Sequence, residues 1–213
     1  MLSSHYKFFP AEFSRLHIAL FTDVQNAPEL RARLIKAATL EGEEGEKERE
    51  AVNFAFIDAL PVGLGIQIAS LSHLQTAIQQ ATLASTDGSM KTKTVHSEIL
   101  WALNNSNNIS ESIKRFGVSD SSKSLFAVRV CGPELSIESV LEGMKAAVQG
   151  EEVPLEKLDE ITDWSLVCKY YKVSNDPAVV EQTKGQKGEL SDNAKATIKE
   201  IVVSSVAMKT VMS

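Results

Sequence analysis

Only two cysteines occur in 213 residues, Cys131 and Cys168, far apart and in no Cys-x-x-Cys arrangement. That excludes a disulfide scaffold and a four-cysteine zinc site, and it points to reduced thiols in the cytosol or nucleus. Long apolar runs are missing too. No window of about 18 apolar residues exists, and Pro10 and Glu12 interrupt the opening stretch MLSSHYKFFPAEF, where a secretory segment needs an unbroken run. The expectation is a chain neither exported nor membrane-spanning, whose sequons at Asn104 and Asn108 are chance matches. A basic excess is also lacking. Lys and Arg number 22 against 28 Asp and Glu, a formal net charge of −6, which excludes a chain-wide cationic coat for nucleic acid but leaves room for a local patch. Much of the acidity is one stretch, EGEEGEKERE from Glu41 to Glu50, whose six Glu against Lys47 and Arg49 leave only −2 for the remaining chain.

With 43% hydrophobic and 23% charged residues the chain has an ordinary globular composition and enough length for one substantial core. The run LHIALFT from Leu16 to Thr22 predicts a buried strand, and Pro28 followed by Leu30, Leu34 and Ala38 predicts a helix after it. The self-repelling stretch 41–50 reads as an acidic loop. Val52 to Leu60 predicts a second strand, stopped by Pro61 and the glycines 63 and 65. Ile68, Leu71, Leu74, Ile78 and Ala81 keep helical spacing, and two shorter helices follow on Val95, Ile99, Leu103 and on Ile109, Ile113, Phe116. Asn108 with Glu111 forms a capping box for the last of these, and Gly117 reads as its left-handed cap. Ser124 to Cys131 alternates like a half-buried strand, and Ile137, Val140, Leu141, Met144 and Val148 give a clear amphipathic helix. Ile161, Trp164, Cys168 and Tyr171 predict another helix, 175–189 a flexible linker, and Ile198, Ile201, Val202, Val206 and Met208 a terminal helix. Together these predict an α/β (α+β) fold, one domain over residues 1–213 with a small antiparallel or mixed sheet covered by several helices.

Catalytic constellations are absent from the sequence. Gly63-Leu64-Gly65 lacks the Gly-Lys-Ser/Thr of a phosphate loop and reads as a strand-to-helix joint. His5, His17, His73 and His96 have no ligand spacing and read as surface or partly packed side chains, so no metal or cofactor is expected. What stands out is the span Ser89 to Val118, where Lys91, Lys93, Lys114 and Arg115 outnumber Glu98 and Glu111, for a net +2 in an acidic chain. Asn104, Asn105, Asn107 and Asn108 add amides that can bond phosphates or base edges, and Trp101 offers a stacking face if exposed. The plain alternative puts Trp101 in the core, the lysines in solvent and the asparagines at helix caps.

The block MKTKTVHSEILWALNNSNNISESIKRFGV, with LHIALFTDVQNAPELRARL from Leu16 to Leu34, resembles the TPRKB/Cgi family, the small kinase-binding subunit of the KEOPS (EKC) complex. The resemblance continues more weakly through the helix after Gly65, the strand near Ala127 and the terminal VAMK. It implies a compact α/β unit that performs no chemistry, takes no small-molecule substrate, docks on the small lobe of the Bud/PRPK kinase-like ATPase, and binds tRNA at its 3′ CCA end. The assembly makes threonylcarbamoyladenosine in tRNA, works in cytoplasm and nucleus, and is linked to telomere upkeep. The matched positions are Lys91, Thr92, Lys93, Thr94, Ser97, Glu98, Ile99, Asn104, Asn107, Asn108, Ile109, Phe116 and Gly117.

From these follow the candidate RNA-binding residues Lys91, Lys93, Asn104, Asn108, Lys114 and Arg115. Lys91 and Lys93 precede a helix start, where backbone N–H groups and cations both favour phosphate. Glu98 reads as a structural hydrogen-bond acceptor, and Ile109, Ile113 and Phe116 as core. The kinase surface is expected on the apolar side of the terminal helix or on the helix with Arg31 and Arg33. The stretches 41–50 and 175–189 look like insertions that leave it intact. Two other readings compete. A stand-alone single-stranded RNA-binding module would rest on the Lys/Asn/Trp cluster. An enzyme acting through His96 and Glu98 is disfavoured, because two residues apart on a helix they point about 200° from each other.

Overall fold

The apolar run near residue 20 becomes the central strand of the sheet in the computed structural model, which describes residues 1–59, 68–158, 162–184 and 189–212. Five strands, β1 (Leu2–His5), β2 (Arg15–Thr22), β3 (Ala55–Asp58), β4 (Leu125–Cys131) and β5 (Glu151–Val153), pair antiparallel throughout. The order is β1-β2-β4-β3, with β5 alongside the far half of β2, on Leu20 to Thr22. The register sets Arg15 opposite Cys131, His17 opposite Arg129 and Phe21 opposite Leu125. Nine helices are described: α1 (Ala27–Thr39), α2 (Gly42–Ala51), α3 (Leu71–Thr86), α4 (Val95–Leu103), α5 (Ile109–Phe116), α6 (Ile137–Ala147), α7 (Trp164–Tyr170), α8 (Pro177–Thr183) and α9 (Asp192–Met212). The fold is a single α+β domain, as the sequence implied, and the pairing left open there is antiparallel.

Strand alternation sends side chains to two covered faces. Leu16, Ile18, Leu20, Ile57, Phe126 and Val128 face a core shared with α3, α4, Phe116 and the Ile198, Val202, Val206 stripe of α9. Ala19, Phe21, Phe56, Leu125 and Ala127 face a second core with Leu30 of α1 and Val140 and Met144 of α6. Every residue of β4 is therefore buried, not half of them, because helices cover both sides of the sheet. The apolar side of α9 packs on α3 within the same chain, so it is spent internally and offers no partner surface along that stripe.

Local chemistry explains the starts and ends. Ser70 accepts from the His73 N–H at α3, Thr94 and Ser97 form a reciprocal box at α4, and Asn108 accepts from the Glu111 N–H at 3.0 Å at α5. Gly117 is not the left-handed cap the sequence suggests, since its φ is −78°. A Cβ there would stand 2.5 Å from the carbonyl oxygen of Ile113, so the residue is glycine because backbone approaches backbone. Gly117→Ala is expected to cost about 2 kcal/mol, read as a lower urea midpoint with an unchanged slope.

Other expectations are corrected. The stretch 41–50 is helical, because cations from neighbouring elements answer its glutamates: Arg33 pairs with Glu48 at 2.8 Å, Lys36 with Glu44 at 3.6 Å and Arg129 with Glu50 at 2.7 Å. Arg49 also donates to the Leu40 carbonyl at 2.8 Å, closing the α1–α2 corner. The expected linker holds α8, begun by Asp176 and Pro177 and fastened by buried Val179 against the core. Its residues 185–188 lie outside the described ones, as do Leu60, Pro61, the glycines 63 and 65, and Ile161. On α1 the third buried position is Ala37, one residue before the expected Ala38. Ile109 and Ile113 are 38% and 52% exposed, and of the expected trio only Phe116 is core. Three histidines, His17, His73 and His96, are buried.

Candidate functional site

The α4–α5 hairpin carries the candidate residues, and its two ends are built differently. At the start of α4, Glu98 is buried and accepts from the Lys91 N–H at 3.0 Å, the Thr92 N–H at 2.7 Å and the Thr92 hydroxyl at 2.7 Å. One carboxylate thus organises the preceding loop, as its reading as a structural acceptor implied, and charge-assisted bonds of this kind are about twice as strong as neutral ones. The loop leaves Lys91 and Lys93 exposed at the amino end of the helix.

The far end is a closed polar knot. Asn104 is 1% exposed: its amide donates to Ser106 Oγ, the Asn108 carbonyl and Ser112 Oγ at 2.8–3.2 Å, and its carbonyl accepts from the Tyr170 hydroxyl. Lys209 of α9 reaches the carbonyls of Trp101, Asn104 (2.7 Å) and Ser106 (3.1 Å), where the unpaired carbonyls of a helix end favour a cation. Its ammonium sits 3.7 Å from the ring centroid of Trp101, and burial lowers its pKa to about 8. Trp101 is itself 3% exposed, so it presents no stacking face. Arg115 lies 4.3 Å from the centroid of Tyr170 and 3.5 Å from Glu111, and burial raises the phenol to about 12.

Of the six candidates, therefore, Asn104 is structural, Asn108 caps α5, Arg115 is stacked and paired, and Lys91, Lys93 and Lys114 stand in solvent. The nine residues of α4 put about 13 Å between the Lys91/Lys93 end and the asparagine knot, so the six do not form one cluster. Sequence reasoning missed Lys209 and Tyr170 as the groups that lock the knot. The only signal for Lys209 was its place in the terminal VAMK.

His96 and Glu98 do not cooperate. The His96 ring bonds Asn53 Oδ1 at 2.9 Å and accepts from the Val130 N–H at 3.2 Å, while burial, then the nearby Arg129, lowers its pKa to about 3. His73 accepts from the Ala69 N–H at 3.1 Å and meets the Tyr171 hydroxyl at 2.9 Å, and burial lowers it to about 3 as well. Because Tyr171 gives its one proton to the Leu103 carbonyl, His73 must donate from Nε2, which assigns the neutral tautomer. Among the described residues no group of three His, Cys, Asp or Glu could hold a metal ion, and no helix is long and apolar enough to cross a membrane.

The family described as "Kinase binding protein CGI-121" matches residues 21–210. Among curated relatives, an EKC/KEOPS complex subunit CGI121 of Cryptococcus neoformans is 38% identical over 196 residues, covering 79% of this chain and 86% of the relative. The EKC/KEOPS complex subunit cgi121 of Neurospora crassa is 33% identical over 210 residues, 91% of each chain. That of Aspergillus fumigatus is 36% identical over 161 residues, 74% and 76% of the two.

Proposed function

The chain belongs to the kinase binding protein CGI-121 family, and from that premise we propose that it is a non-catalytic subunit of an EKC/KEOPS-type complex. In this reading it docks on the small lobe of the Bud/PRPK kinase-like ATPase and helps recruit tRNA by its 3′ CCA end for threonylcarbamoyladenosine formation, in cytoplasm and nucleus. The observation that carries it is the match over residues 21–210, which spans both cores and the α4–α5 hairpin. Co-purification with the kinase is the test, and no complex at micromolar concentration would overturn it.

The docking face we assign is the seam of α3 and α9. Gln80 donates to the Ala207 carbonyl at 3.3 Å, and within a turn of that bond two large apolar side chains stand in solvent, Leu83 at 45% and Met208 at 48% exposure. Apolar anchors beside polar groups are what an interface centre needs. This replaces the buried stripe of α9 as the candidate.

For tRNA the usable cations are Lys91, Lys93 and Lys114. Reversing Lys91 and Lys93 together to Glu is expected to weaken tRNA binding about tenfold and flatten the log–log salt slope by roughly 1.5. Binding measured across a salt series checks it, and unchanged affinity removes those lysines. The stand-alone RNA module loses its stacking platform with Trp101 buried, so the subunit reading is preferred.

A further inference from the structure

Polar nitrogens left without partners inside a fold are few, and here three of them gather in one place. Arg15 Nε, His17 Nε2 and Arg129 Nε are buried with no hydrogen-bond partner. Arg15 and His17 lie on β2, Arg129 on β4. His17 faces Arg129 directly across the ladder, and Arg15 faces Cys131, which makes the two arginines diagonal neighbours on one face of the sheet. His17 and Arg129 are 1% and 7% exposed. A buried donor left unbonded is costly, so three together call for an occupant.

The charges around them leave a positive remainder. Arg129 is tied down through its other nitrogens, donating to the Asn53 carbonyl and to Glu50 Oε1, and Glu50 is itself 63% exposed. Arg15 enters no ion pair among the described residues. Glu134 lies near Cys131 but is turned to the Gly132 N–H at 3.2 Å, and His5 stands opposite Arg15 on β1. Ser3 Oγ lies 2.8 Å from His17 Nδ1, and donation from that hydroxyl leaves Nε2 to carry a proton, a third donor. A cleft of about 180 Å³ between the end of α2 and α6 reaches Arg129 alone of the three, and Glu50, Phe54, Ser139 and Val140 line it with Arg129.

We propose that Arg15, His17 and Arg129 form an anion pocket that takes a phosphate-class oxyanion, as the free ion or as the phosphate of a nucleotide. The Arg15 guanidinium fork matches two oxygens of such a group, while His17 and Arg129, whose other nitrogens are engaged, add one N–H each.

The test is an NMR titration of the arginine side-chain Nε–H resonances of the full chain, with inorganic phosphate in one arm and AMP in the other, ionic strength held constant with chloride. The expected result is saturable shifts of the Arg15 and Arg129 signals in the millimolar range, weakened at least tenfold in Arg15→Gln. Arg15 is the site of choice because it carries no structural bond, and the wild-type titration decides the matter alone should the variant misfold. Response to phosphate only identifies a free ion, and response to AMP as well identifies a nucleotide phosphate. Signals indifferent to both anions, with contacts to bound water only, or shifts undiminished in Arg15→Gln, overturn the pocket.

Discussion

Taking the protein from pH 7 to pH 4.5 is expected to cost its fold roughly 5 kcal/mol, at about 1.36 kcal/mol per pH unit for each of two histidines. His73 and His96 have pKa values lowered by burial from 6.5 to about 3. In the unfolded chain both take up a proton near pH 6.5, while in the fold both stay neutral, so the unfolded state binds more protons across the interval. Stability is therefore complete above about pH 6.5 and drains away as the pH falls towards 3. His17 is shifted in the same direction, by burial first and then by Arg15 and Arg129. Domains of this kind hold only about 5–15 kcal/mol in total, so the loss removes a third or more of the stability and unfolds a domain at the low end of that range. Urea denaturation at the two pH values measures it, and His96→Gln should remove about half the slope. A midpoint that stays flat from pH 7 to 4.5 would refute the neutral buried pair.

Kinase affinity should fall about a hundredfold, or about 2.7 kcal/mol, when Leu83 and Met208 are both changed to Asp. Each of these side chains is nearly half exposed in the free protein, so the substitutions should leave the melting temperature almost unchanged. In a complex they would bury two unpaired carboxylates at the centre of the contact, where charge is least tolerated. Ile113→Asp on α5, equally exposed but away from the seam, serves as the control and should bind the kinase normally. Biolayer interferometry with the purified kinase decides between them. Undiminished binding by the double variant, with loss in Ile113→Asp, would move the docking face to α5.

The readable parts of the fold were those whose chemistry is local. The apolar run Leu16 to Thr22 revealed β2, the alternation in Ser124 to Cys131 revealed β4, and Asn108 with Glu111 revealed the start of α5. β1, with two serines in four residues, and β5, with two glutamates in three, carry no apolar pattern, because each lies outside β2 as a short edge element. Helix α2 was hidden by its own charge, since the cations that neutralise it come from α1 and β4. The candidate site was legible to the extent that its residues are close in sequence: Glu98 was read correctly as a structural acceptor, but the backbone N–H groups of Lys91 and Thr92, expected to face phosphate, are spent on that same carboxylate. Asn104 was not read correctly, and Trp101 follows the plain alternative that put it in the core; what encloses the two, Tyr170 and Lys209, lies 66 and 108 residues away. Burial that depends on such distant partners leaves no periodicity to detect.

The antiparallel pairing of β2 with β4 joins residues more than a hundred positions apart, which has a consequence for biogenesis. At a synthesis rate of roughly 5–20 residues per second, β2 leaves the ribosome on the order of ten seconds before its ladder partner exists. Helix α1 follows at once and can shelter Phe21 and Ala19, but Leu16, Ile18 and Leu20 on the opposite side have no cover until α3 and α4 emerge. The nascent chain is thus a natural client for chaperones, and a transcript truncated before residue 125 would yield a product with a sticky, unclosed strand.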